Sequence, residues 1–155
     1  RGSTATAAWG RAMTAGIWEI GPAMALAQLQ ATVTRSDLGT GNARVRIYLE
    51  VPADFLGSRG AVQAEVVLAR PSATVVNGTL VLHVRDAAGA MVMATGIPRW
   101  ADWHAADGAL LAGGEVSDSD HTGPWRLFGG QTPEGETSPL LYAGSLVQLG
   151  ETSLI

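Results

Sequence analysis

From Arg44 to Glu50 the chain reads Arg-Val-Arg-Ile-Tyr-Leu-Glu, with Val45, Ile47 and Leu49 alternating with polar or amphipathic neighbours. A period of two puts successive side chains on opposite faces of a strand, so one face meets a core and the other meets water. The pattern returns at Val62, Ala64, Val66 and Leu68, set against Gln63 and Glu65. It returns again at Leu80, Leu82 and Val84, set against Val81, His83 and Arg85. Shorter apolar runs follow at 91–93, 125–128 and 146–149. Residues 100–105 and 109–116 flank Ala106-Asp107-Gly108, which reads as a hairpin connection. Turn chemistry separates these runs. Pro52 ends the first and Pro71 closes the second, while Asn77-Gly78 and Asp86-Ala87-Ala88-Gly89 supply turns. A Gly-, Pro- and Glu-rich loop spans 129–139. Seven or eight short strands at regular spacing predict a mainly β fold, an antiparallel β-sandwich or jelly roll.

The N-terminal part breaks the pattern. Residues 1–20 hold small residues and two tryptophans, Trp9 and Trp18, without a clear period. Two readings stand side by side: an arm ordered by a partner, or a first strand at 17–20 packed on the chain's own core. Pro22 suits a first helical position, and Leu26, Leu29, Gln30 and Val33 follow at spacings of three and four, predicting a helix over 22–34. Thr32-Val33-Thr34 pulls the other way, toward a strand. The expected organisation is an N-terminal arm, 1–20, and one β-sandwich domain, 21–155.

At 155 residues the chain has the size of one domain, which buries about 70% of its unfolded surface. With 46% hydrophobic and 15% charged residues, a packed core is expected rather than disorder. The net charge of −4 argues against an electrostatic grip on nucleic acid or an anionic membrane. All ten basic residues are arginine, which, with abundant Ala and Gly, reads as the codon bias of a GC-rich genome and lowers the weight of Ala as helix evidence. Without cysteine there is no disulfide and no thiolate chemistry, as expected of a chain that folds in a reducing cytoplasm or is stabilised by partners. No apolar run approaches the roughly 20 residues needed to span a bilayer. The start, Arg1-Gly2-Ser3, has no signal-peptide pattern.

Chemistry-bearing motifs are sparse. His83, His104 and His121 show no metal-ligand spacing, and His83 falls on the strand face opposite the core stripe. Glu115, Asp118, Asp120 and His121 form one acidic stretch, but the twelve-residue calcium loop with its central Gly and closing Glu is missing, so a solvated loop is expected. Gly57-Ser58-Arg59-Gly60 breaks the spacing of a serine nucleophile elbow. Gly39-Thr40-Gly41 lacks the third glycine and the lysine of a phosphate loop. A carboxylate pair distant in sequence is invisible at this level. No catalytic residue, cofactor or metal is expected, and the chain reads as a non-enzymatic binding or assembly module.

Five of the nine aromatic residues are tryptophan. Trp100 and Trp103 sit three apart and so face opposite sides of a strand, one of them toward a core. Trp9, Trp18, Trp103 and Trp125 are the candidate partner contacts, since indole on a surface binds partners or stacks on sugars.

The stretch 43–48, Ala-Arg-Val-Arg-Ile-Tyr, followed by Pro52, resembles small virion proteins of tailed bacteriophages. So does the Trp-containing run 100–108 ending in Asp-Gly, continued by Gly113, Gly114 and Val116. The closing run 143–147, with Thr152, Ser153 and Leu154, is similar as well. The resemblance covers about 22–155, and the chain departs from it in the 129–138 insertion and the 1–20 arm. It implies a structural virion component without catalytic residues, foremost a capsid-decorating (cement) protein on major capsid subunits, assembled in the bacterial cytoplasm as a homo-oligomer. A tail-associated or receptor- and carbohydrate-binding β-sandwich module is the alternative it leaves open.

Overall fold

The structure, a computed structural model, describes residues 16–154. One helix, α1 (Pro22–Ser36), precedes nine strands among the described residues. They are β1 (Arg44–Tyr48), β2 (Val62–Val76), β3 (Thr79–Val84), β4 (Ala90–Met91), β5 (Trp100–His104), β6 (Leu110–Ser117), β7 (Trp125–Phe128), β8 (Leu146–Leu149) and β9 (Ser153–Leu154). The mainly β expectation holds. Its antiparallel part needs correction: β6 and β7 pair in parallel, Val116 opposite Trp125, so the sheet is mixed. The strands follow one order, β4-β8-β7-β6-β5-β1-β2-β3-β9, in a curled half-barrel.

The helix forms where the spacing placed it and runs two residues further. Pro22 occupies its first turn, where a missing N–H costs nothing, and the Ala25 N–H bonds Gly21 O at 3.1 Å. Thr32 and Thr34 donate their hydroxyls back to Gln28 O and Gln30 O. Those bonds satisfy the polar groups inside the helix, and Val33 packs on the core beside Leu29, which is why the competing strand signal loses.

Strand alternation holds where the sequence showed it. Val45, Ile47, Ala64, Val66 and Leu68 point into one core with Trp103, Trp125, Leu127, Leu141 and Val147. The boundary at Pro71 is corrected: β2 runs through it to Val76. The first half of β2 pairs with β1, and the register toward β3 shifts between Leu68 and Ala73. Pro71 falls in that shift, where its missing N–H breaks no ladder. The curl of the sheet returns the chain after β4 to β2. There Met93 N–H bonds Gln63 O at 2.7 Å, and the buried Gln63 amide donates to Ala94 O and Gly96 O at 3.0 Å each. The outermost strands, β4 and β9, are two residues long each, too short to template another sheet on their own.

Candidate functional site

The most densely connected polar group lies on the outer face of β1, β5 and β6. Cross-strand register sets Arg46 opposite both Glu65 and Asp102, and Asp102 opposite Gly113. Glu65 accepts from Arg46 Nε at 2.7 Å and from Arg44 Nη1 at 3.1 Å. Asp102 is buried, and Arg59 from the 51–61 connection donates to it through Nε (2.7 Å) and Nη2 (3.3 Å). Trp100 Nε1 adds a third donor at 2.8 Å. The rest of the Arg59 fork is also used, on Asp54 O (3.3 Å), Gly57 O (2.7 Å) and Phe55 O (2.7 Å). A planar five-donor group meeting one carboxylate and three carbonyls fixes the loop to the sheet in one geometry. Burial pushes the Tyr48 hydroxyl up, and the Asp102 charge pushes it the same way.

Gly113 makes room for this arrangement. A Cβ there would stand 2.5 Å from Asp102 Oδ1 and 2.9 Å from the Trp100 ring. The loop so fixed turns apolar side chains outward: Leu56 is 84% exposed, and Phe55 and Val51 about half. With three donors on its two oxygens, Asp102 serves as an anchor for a presented loop.

A second exposed apolar stretch is the arm. Residues 16–20 form no strand, and Ile17 and Trp18 are 93% and 64% exposed, with Ile20, Met24 and Leu26 also open to solvent. The first strand that 17–20 suggested is thus not formed. Trp18 is a surface residue, as a partner contact requires, and Trp9 lies outside the described residues.

The other two candidate contacts are corrected. Trp103 and Trp125 are each 2% exposed and belong to the core, so neither presents a face to a partner. Trp103 uses its indole N–H on Ser36 Oγ at 3.1 Å, and Ser36 Oγ also meets Ser72 Oγ at 2.8 Å. That buried group ties the end of α1 to β2 and β5, with Ala106 N–H on Ser36 O and Ser72 N–H on the Asp37 carboxylate. Trp100 is the partly exposed member of its pair, as a spacing of three requires.

The histidines differ: His104 is part-buried rather than solvated, its Nδ1 beside Gly108 O at 3.3 Å and its Nε2 without a partner among the described residues. His83 is exposed and meets Thr74 Oγ1 at 2.8 Å. Among the described residues no group of three His, Cys, Asp or Glu is placed to hold a metal ion. Asp118 organises its own loop, accepting from His121 Nδ1 (2.6 Å), Asp120 N (3.0 Å) and Thr132 Oγ1 (2.5 Å). Sequence reading passed over Arg59. Its only available signal was an arginine amid glycines beside two large apolar residues, which names no partner.

No family model, no curated protein and no solved structure matches the chain.

Proposed function

We propose that the chain is a structural assembly protein, most specifically a capsid-decorating (cement) protein of a tailed bacteriophage that binds major capsid subunits as a homo-oligomer. The observation that carries the assembly reading is the exposure of Ile17 and Trp18, 93% and 64% among the described residues. Large apolar side chains held in water gain by burial against another surface, about 1.5–3 kcal/mol for each one fully covered. The Leu56 loop, fastened from within by Arg59, adds a second apolar contact with little ordering entropy left to lose on binding. Many copies on a repeating shell turn modest contacts into firm attachment. In this reading the curled sheet is the sandwich-like or jelly-roll body of such a protein, its strands contributing to one core. The phage assignment itself rests on the sequence resemblance. The carbohydrate-binding alternative has lost Trp103 and Trp125, which offer no face to a sugar.

The test is imaging of particles of the phage that encodes the chain, purified with and without it. Difference density on the shell at capsomer symmetry supports the proposal. Density confined to the tail, or none on the particle, overturns the capsid assignment.

A further inference from the structure

The 129–139 segment forms a strap between β7 and β8: its two ends are bridged to each other, Gln131 with Leu140, and Leu141 just beyond it is bridged to Gly96. Its middle is held by two side-chain ties, and a carboxylate makes each of them. Thr132 donates to Asp118 Oδ2 at 2.5 Å, and Glu136 accepts from Arg99 Nη1 at 2.6 Å. One backbone bond joins them, Asp118 N–H to Thr137 O at 2.8 Å. Asp118 is in turn held by His121 and by Asp120 N–H, so its carboxylate is positioned before the strap arrives. Strap residues wall two surface cavities. Thr137 lines one of about 370 Å³ beside Glu115 and His121, and Gln131 and Thr132 line another of about 400 Å³ beside Leu140 and Tyr142. The strap's own Ser138 is buried, its hydroxyl without a partner among the described residues, and Leu141 just after the strap is fully buried.

We propose that 129–139 is an acid-released strap: protonation of Asp118 and Glu136 undoes both side-chain ties and exposes Ser138 and Leu141. A carboxyl that gains a proton loses its charge and part of its acceptor capacity, so each tie weakens by the same event. Both ties are partly exposed, the Arg99–Glu136 pair at 42% and 33%. An exposed ion pair such as Arg99–Glu136 contributes little, which leaves that end of the closed strap marginal and able to respond.

The thermodynamic sign agrees. Thr132, then His121, hold the Asp118 carboxyl below its ordinary value, and Arg99 does the same for Glu136. Groups depressed in the closed form favour closure above the ordinary carboxylate range, about pH 4. That contribution is lost as pH falls through the depressed values. The charged and titratable groups on the elements packed here are Glu115 of β6, Asp120 and His121 of the turn, Arg126 of β7, Glu134 of the strap, and Arg99. This inference does not depend on the assembly reading.

Amide hydrogen exchange on the full chain tests it, read as protection factors at Asp118 and Leu140, whose N–H groups bond Thr137 O and Gln131 O. Between pH 6 and pH 3 both should lose on the order of tenfold more protection than Val45 and Ile47 in the central sheet. In Asp118→Asn/Glu136→Gln that loss should already be present at pH 6 and change little on acidification. Strap amides that track the central sheet at every pH would overturn the proposal. So would a double variant with wild-type protection and wild-type acid response. Glu136→Gln alone, at an exposed pair unable to unfold the domain, should give part of the loss at pH 6 and settles the matter should the double variant fail to fold. Full wild-type protection in that single variant counts against the strap.

Discussion

Trp103 donates its indole N–H to Ser36 Oγ across 3.1 Å, joining the centre of β5 to the last residue of α1. Both residues are buried, so the bond forms where water cannot replace it. A residue that reads in the sequence as a surface aromatic is thus the one that holds the helix on the sheet. Ser36→Ala leaves the indole N–H and the Ser72 hydroxyl short of a partner, and should cost about 1–3 kcal/mol. Chemical denaturation checks this. Trp103→Phe should cost a similar amount and add little when combined with Ser36→Ala, because both remove the same bond.

The Arg59–Asp102 pair predicts an asymmetric response to substitution. Asp102→Ala strands a guanidinium that is 12% exposed, and should cost about 3–5 kcal/mol, a fall in Tm on the order of 10 °C. Gly113→Ala pushes a methyl group into Asp102 and Trp100 and should cost about 1–3 kcal/mol with its charges intact. Thermal melts of the two variants test the arrangement. A neutral Gly113→Ala would mean that Trp100 is not held where it stands.

Asp107 gives a pH dependence at the β5–β6 turn. The Ala109 N–H foremost, and the Arg35 guanidinium with it, hold its carboxyl below the ordinary carboxylate value. A depressed carboxyl stabilises the fold above that ordinary value, about pH 4, and the contribution disappears as pH falls through the folded value. An NMR titration should place the Asp107 midpoint below that of a model peptide. Arg35→Gln should raise it only part of the way, since the backbone donor remains.

Surface substitutions on the arm should separate binding from stability. Ile17→Ser/Trp18→Ser removes apolar side chains that touch little of the chain, so the melting transition should move by no more than about 0.5 kcal/mol equivalent. Attachment to a partner shell should fall sharply. Equal losses of both would place the arm in the core of its own domain.

What the sequence disclosed, and what it hid, follows from the range of the forces involved. Period-two patterning exposed β1, the start of β2 and β3, because a strand with one buried face must alternate, and the Asp107-Gly108 turn exposed the β5–β6 hairpin. The Pro22 start and the Leu29 and Val33 spacing exposed α1. The parallel β6–β7 pairing was hidden because a connection as short as 118–124 ordinarily joins antiparallel strands. Continuation of β2 through Pro71 was hidden because an unpaired stretch tolerates a residue that a ladder rejects. Trp103 and Trp125 looked like contacts because burial of a lone aromatic depends on neighbours distant in the chain. Arg59 was illegible for the same reason: its carboxylate partner lies 43 residues away.

The account stands most directly on the state of residues 16–20. Hydrogen exchange of this segment, in the isolated chain and in the chain bound to phage particles, measures it. The prediction is fast, unprotected exchange when the chain is alone and clear protection on the particle. Protection already present in the isolated monomer, or none on the particle, would contradict an arm that waits for a partner.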